Sequence, residues 1–352
     1  MNKIFLRIIA TWLLVMGLSF AHVTVYADAN ADVEKYTTNI QRNPNDDSAY
    51  HNRGVAYNGL KQYELAIQDF DKAIQINPNV SEAYYNRGKA YFFLKQPEQA
   101  ITDFNKAIEL NLNHEDVYYL RGAAYHLLNK HEQAIQNYDQ ALQRNPNYAY
   151  AYCNRGISHQ LLKQYDIAIQ NFDKAILLNP SDARAYSFRG LTYDFLKQTE
   201  RAIQDFKKAI ELNPNYADAY NNCGIAYSHL GQYEQSIQNF TKAIELKPDY
   251  EDAYCHRGFA YYNLGQNERA IQDFTKAIEL NPKDDSTYYV RGCVYCKIQN
   301  YEKAVEDFNM TLHLNPNRVG AYEMRGLAYK KLGKKENANA DLAKYKKLNR
   351  KS

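Results

Sequence analysis

The 34-residue stretch from Glu251 to Asp284, EDAYCHRGFAYYNLGQNERAIQDFTKAIELNPKD, sets a pattern that can be laid over the chain nine times, from Asp47 to Ser352. Its fourth place is always tyrosine: Tyr50, Tyr84, Tyr118, Tyr152, Tyr186, Tyr220, Tyr254, Tyr288 and Tyr322. Its eighth place is always glycine, from Gly54 through Gly88 and Gly122 to Gly326. Eight of the nine prolines, from Pro44 to Pro316, share one phase, and only Pro97 falls outside it. A single compact domain of 352 residues is near the upper limit of size. A tandem array has no such limit, because each unit touches only its neighbours.

Within the period, Asp252 to Leu264 and Gln266 to Leu280 each place apolar residues at helical spacing, so the unit reads as helix, turn, helix. Gly265 opens the turn, and the matching places hold Gly, Lys, Asn or Gln. Asn281-Pro282 ends the second helix, because proline lacks an amide hydrogen and keeps the preceding residue out of the helical region. This Tyr…Gly…Tyr…Ala…Phe…Ala…Pro spacing at 34 residues resembles the tetratricopeptide repeat family. The resemblance implies an all-α fold, an α-solenoid of tandem helix-turn-helix units wound into a right-handed superhelix. The repeats then run 47–80, 81–114, 115–148, 149–182, 183–216, 217–250, 251–284, 285–318 and 319–352, the last serving as a C-terminal cap. In the family's fold Gly258 and Ala270 face each other, with Tyr254, Tyr261 and Phe274 filling the space around them.

One departure from the family stands out. Its usual leucine at the seventh place is arginine in eight repeats: Arg53, Arg87, Arg121, Arg155, Arg189, Arg257, Arg291 and Arg325. The twenty-third place is Asp or Asn in all nine, and repeat six pairs Cys223 with the neutral Asn239. These arginines are expected along the helix-helix seam, stems packed and guanidinium groups tied to the Asp or Asn side chains. The alternative is a ladder that binds anions. Because leucine is the family's choice, Arg257→Leu is expected to be tolerated and Gly258→Leu is not.

Residues 1–27 read as an export signal, with Lys3 and Arg7 before an apolar core and Val25-Tyr26-Ala27 fitting a cleavage site. The alternative is an uncleaved anchor, since residues 8–27 carry no Asp, Glu, Lys or Arg. Either way the repeats are expected beyond a membrane, periplasmic, lumenal or secreted. Residues 28–46 look like a worn half repeat that caps the first unit. The formal charge of +3 hides an asymmetry. Residues 319–352 hold ten Lys or Arg against Glu323, Glu336 and Asp341, a net of +7, which leaves about −6 for residues 28–318. Nothing points to nucleic acid along the array, and the basic end reads as a solvated cap.

The resemblance also implies that places 2, 5, 6, 9, 12 and 13 of each first helix look into a concave groove. These are where the repeats stop agreeing. Repeat two offers Glu82, Tyr85, Asn86, Lys89, Phe92 and Phe93; repeat three offers Asp116 and Tyr119. Repeat five offers Phe188, Asp194 and Phe195, repeat six Asp218 and Asn222, and repeat seven Asp252, Phe259 and Tyr262. Asn52, Asn86, Asn154 and Asn222 make a partial ladder at the sixth place, and amide side chains both donate and accept. The carboxylate clamp of the family is matched only by Arg184 and is rejected. The expected partner is a protein or peptide with apolar or aromatic anchors and Lys or Arg between them.

No Ser/His/Asp order, phosphate-cradling loop or His-Glu-x-x-His motif stands out, so the chain reads as non-enzymatic and without a cofactor. A rival reading is an accessory metal or redox module on repeats seven and eight. There Cys255, His256, Cys293 and Cys296 occupy groove places, and Cys-x-x-Cys spacing suits zinc. The five cysteines also allow one or two disulfides, or plain half-exposed thiols.

Overall fold

The computed structural model describes residues 24–349, so the apolar core of the expected leader lies outside the described residues. The described chain is helical, with 19 helices and no strand. No described helix is long and apolar enough to cross a membrane. Two compact units divide it, ending and beginning at Ser181 and Asp182.

The first unit holds α1 (Thr24–Arg42), α2 (Asp47–Gly59), α3 (Tyr63–Ile76), α4 (Ser81–Phe93), α5 (Pro97–Glu109), α6 (Glu115–Leu127), α7 (His131–Arg144), α8 (Ala149–Leu161) and α9 (Tyr165–Leu178). The second holds α10 (Ala183–Phe195), α11 (Thr199–Leu212), α12 (Ala217–His229), α13 (Tyr233–Leu246) and α14 (Glu251–Asn263). It continues with α15 (Asn267–Leu280), α16 (Asp285–Lys297), α17 (Tyr301–Leu314), α18 (Val319–Lys331) and α19 (Lys335–Asn349). From α2 onward the helices pack as antiparallel pairs, and α1 packs on α2.

Short turns close each pair. The residue after each first helix's cap sits in the left-handed region: Lys61, Lys95, Asn129, Lys163, Lys197, Gly231, Gly265, Gln299 and Gly333. Its amide and the next one reach back to two carbonyls, as when Lys61 donates to Asn58 and Gln62 to Tyr57. Only three of the nine are glycine, so six repeats hold this conformation against the steric cost of a side chain. Most second helices end instead on an Asn-Pro pair, with Asn145 Oδ1, for instance, accepting from the Asn147 amide, while α13 ends on Lys247-Pro248. Leu112 takes proline's place after α5, and the end changes accordingly. Asn111 turns left-handed and the Leu112 amide donates to Ala107.

The core repeats with the sequence. Phe70, Phe104, Tyr138, Phe172, Phe206, Phe240, Phe274 and Phe308 are all fully buried, one per pair. Each ring lies against the glycine sixteen residues before it. A Cβ on Gly54, Gly88, Gly122, Gly156, Gly190, Gly224, Gly258 or Gly292 would come within 2.6 to 3.0 Å of the ring. The nearest wall against Gly258 is the Phe274 ring, and at Gly190 the Ala202 carbonyl, at the place equivalent to Ala270, also lies 3.1 Å from the Cβ position.

The arginines lie on the seam as the spacing suggests. Arg53, Arg87, Arg189, Arg257, Arg291 and Arg325 each fork onto an aspartate sixteen residues on, with Arg257 Nε and Nη2 both 2.8 Å from the Asp273 oxygens. Arg121 and Arg155 donate to Asn137 and Asn171. A third bond was not foreseen. In seven repeats Nη1 reaches the second helix of the preceding pair, at Thr37, Asp71, Asn105, Asp139, Thr241, Thr275 or Asn309. One guanidinium therefore ties three helices. With every such group committed, no ladder of free anion-binding arginines remains in these seven.

Repeat six breaks the seam coherently. Buried Cys223 replaces the arginine, and Asn239 turns back to the Gln235 carbonyl. The preceding helix supplies Lys207 where other repeats have Thr, Asp or Asn. Lys207 holds its proton more tightly than usual because of the Tyr227 hydroxyl, whose ring lies 5.7 Å below it. The cation has moved from one helix to its neighbour.

Candidate functional site

The first helices form a layer inside each unit. Contacts run α2 to α4, α4 to α6 and α6 to α8 in the first unit, and α10 to α12, α12 to α14 and α16 to α18 in the second. Hydrogen bonds cross this layer. Asn58 donates to the Asn86 carbonyl at 2.9 Å, and Asn154 to the Tyr119 hydroxyl at 2.9 Å. His229 Nδ1 lies 3.1 Å from Asp194, and Cys255 Sγ lies 3.6 Å from Thr287. A side chain on this face has neighbours to both sides, so facing the groove does not mean being open to it.

That distinction sorts the expected contact residues. Phe92 is a core residue, 4% exposed, and Asn154, Phe188 and Asp194 are also buried. Asp194 accepts from the Thr199 hydroxyl as well as facing His229. These four have almost no surface to give a ligand. Asn52, Tyr85, Asn86, Phe93, Asp116, Tyr119, Asp218, Asn222, Asp252 and Tyr262 are half-buried. Glu82 is exposed, and Phe195 and Phe259 are each 38% exposed. Phe259 stands edge-on to Phe274, with ring centres 5.3 Å apart, which leaves its other side to solvent.

The partial asparagine ladder is largely spent on the fold. Asn86 Nδ2 pairs with His51 Nε2 at 3.2 Å, and Asn154 is held by Tyr119. The face's acids are also engaged. The Tyr148 hydroxyl donates to Asp116 at 2.6 Å, and Tyr250 to Asp218 at 2.8 Å. Both tyrosines resist ionisation, first because they are buried and then because of the carboxylate beside them.

Around Asp252 the charges crowd. Burial, then Asp252 and Asp284, push the Glu251 carboxyl up to about 7. Burial raises Asp252 as well, opposed by Lys247 and reinforced by Asp284 and Asp218. In the first unit burial lowers the Lys89 pKa; its ammonium lies 5.4 Å from the Tyr85 ring centre.

The sulfur and imidazole groups do not assemble. Among the described residues no three His, Cys, Asp or Glu side chains are placed to hold a metal ion. His256 stacks on Phe240 at 5.6 Å, and burial lowers its pKa to about 4. Cys255 turns to Thr287, and its thiol is pushed up to about 12 by burial. Burial likewise raises Cys293 to about 11 and raises Cys296. Thiols held protonated are poor nucleophiles and poor zinc ligands. None of the five cysteines is in a disulfide among the described residues.

Family comparison agrees with this geometry. A family model described as "Tetratricopeptide repeat" matches residues 48–80, 81–114, 115–148, 149–182, 251–284 and 286–318, and a second of that description matches 319–352. One described as "TPR repeat" matches 196–231 and 227–265. No curated protein matches the chain. Among solved structures, the APC/C hetero-tetramer Cut9-Hcn1 is similar at a TM-score of 0.58 and 17% identity, over 84% of this chain and 58% of that one. PilF of Pseudomonas aeruginosa gives 0.52 and 18%, over 58% and 93%. YrrB, described as a TPR protein with an unusual peptide-binding site, gives 0.47 and 25%, over 53% and 96%. At such identities the first two speak for the fold alone.

Proposed function

This chain belongs to the tetratricopeptide repeat family, and from that premise we propose that it is a non-enzymatic scaffold. It holds a protein or peptide partner against its layer of first helices. One observation carries the reading. The seam beneath repeats the same arginine, glycine and ring, while the side chains above it differ from repeat to repeat and leave Phe195 and Phe259 partly bare. Exposed aromatics on a rigid wall are the usual anchors of a binding surface. Glu82, Asp116, Asp218 and Asp252 bias the same face negative. The partner is therefore an extended segment or helix with apolar or aromatic anchors and Lys or Arg between them.

The array works beyond a membrane, exported by residues 1–27 and cleaved after Ala27. The charge pattern of that segment supports this, and an intact mass retaining Met1 in membrane fractions would oppose it. The binding test is capture from the native host. Phe259→Ala with Tyr262→Ala removes the partner, since aromatic hot spots cost about 2 kcal/mol or more when truncated. Leu177→Ala, at a 71% exposed side chain on a second helix, leaves capture unchanged. The opposite pattern places the partner elsewhere. Phe92 is excluded from the test because truncating a core ring unfolds its repeat.

A further inference from the structure

We propose that the layer of first helices in the second unit takes one polypeptide segment of mixed charge. Its basic residues lie against α12 and α14, and its acidic residues against α16 and α18. The proposal rests on the groove reading above and adds the second half of the partner. The layer is continuous from α14 to the last pair. Cys255 meets Thr287, the Lys297 ammonium lies 4.0 Å from the Tyr262 ring centre, and α16 packs on α18. Its sign reverses along the way. At the amino-terminal ends of α12 and α14 stand Asp218, Glu251 and Asp252, with Asp284 beside them and Lys247 opposing them. At the carboxy-terminal ends of α16 and α18 stand Lys297, Lys330 and Lys331, all exposed.

None of these three lysines is in an ion pair among the described residues, and Asp285, Asp307 and Asp341 of the last two pairs are taken by arginines. Leu327, 44% exposed, lies one turn before Lys330 and Lys331 on the same face of α18. The two signs together select the occupant. A phospholipid surface or a nucleic acid backbone presents phosphates throughout, and the part laid over α12 and α14 would meet Asp218 and Asp252 with like charge. A polypeptide carries lysine or arginine, an apolar anchor and aspartate or glutamate within one short stretch. The helices set the spacing. Asp252 stands about ten residues of helix, or about 15 Å, before the level of Lys330. Two steps of about 10 Å between neighbouring helices separate α14 from α18. The resulting diagonal of about 25 Å takes roughly seven or eight residues of extended chain.

Selection of a random peptide library, long enough to span that diagonal, on the immobilised full chain tests this. Peptides enriched on the parent carry Lys or Arg toward one end and Asp or Glu roughly eight residues away, with an apolar or aromatic residue between. Lys330→Glu with Lys331→Glu weakens the strongest of them about tenfold, at about threefold for each exposed pair lost. Replacing that peptide's acidic residues with lysine restores binding to the variant and weakens binding to the parent. Enriched peptides that are basic and apolar but carry no acid overturn the mixed-charge proposal and leave the groove reading standing. So do acidic peptides that bind the variant as tightly as the parent. A library with no enriched peptide overturns both. Tighter binding of duplex DNA or phosphatidylglycerol vesicles than of the selected peptide, at equal salt, also overturns the proposal.

Discussion

Arg257→Leu destabilises the α14–α15 pair by about 2–4 kcal/mol. Leucine is the family's residue at this place, and sequence alone argued that it would be tolerated. The structure reverses that expectation. Asp273 is 6% exposed, and its two oxygens are both taken by the Arg257 fork. Without the guanidinium a carboxylate remains buried with no counter-charge, a cost well above the modest net worth of the pair. In two other repeats burial already pushes Asp103 and Asp307 up, with the paired arginine working against it. Leucine also releases Thr241 on the preceding helix. Changing both residues, Arg257→Leu with Asp273→Leu, recovers most of the loss, because no charge is then stranded. Native-state hydrogen exchange of α14 and α15 reads the effect locally. A single variant as well protected as the parent would remove the seam from this account.

Gly258→Leu is the second large effect, expected at about 3 kcal/mol or more, the upper range for overpacking. A Cβ at this position already sits 2.9 Å from Phe274 Cε1, and that ring is wholly buried. The ring cannot retreat without opening the core of its own pair. Gly258→Ala costs less, since alanine gains about 1 kcal/mol of helix propensity against the clash. Thermal unfolding of both variants settles the order. A leucine variant that melts with the parent would mean the ring moves aside freely.

The period made most of the fold legible. It announced where helices start, where Asn-Pro stops them, and which rings fill the core, because those choices are local and recur. The bond from each arginine to the preceding repeat was not legible. It joins Arg257 to Thr241 across the boundary between two repeats, and its partner varies among Thr, Asp and Asn. The shift of charge from residue 223 to Lys207 was hidden for the same reason, since each change looks like drift when read within its own repeat. At the wall, periodicity told which face a residue occupies but not how deeply its neighbours cover it. Phe92 and Phe259 looked alike as groove aromatics; one is core and the other is 38% exposed. Asn86 and Asn154 looked available to a peptide and are bonded to adjacent helices. Cys255 and His256 are neighbours in sequence, yet one turns to Thr287 and the other stacks on Phe240.

Hydrogen exchange of the full chain, with and without its captured partner, tests the central claim most directly. The claim is that the partner lies on the layer of first helices. Bound partner should slow exchange in first helices such as α4, α12 and α14 while leaving α5, α13 and α15 at their free rates. Protection concentrated in the second helices, with the first helices unchanged, would contradict it.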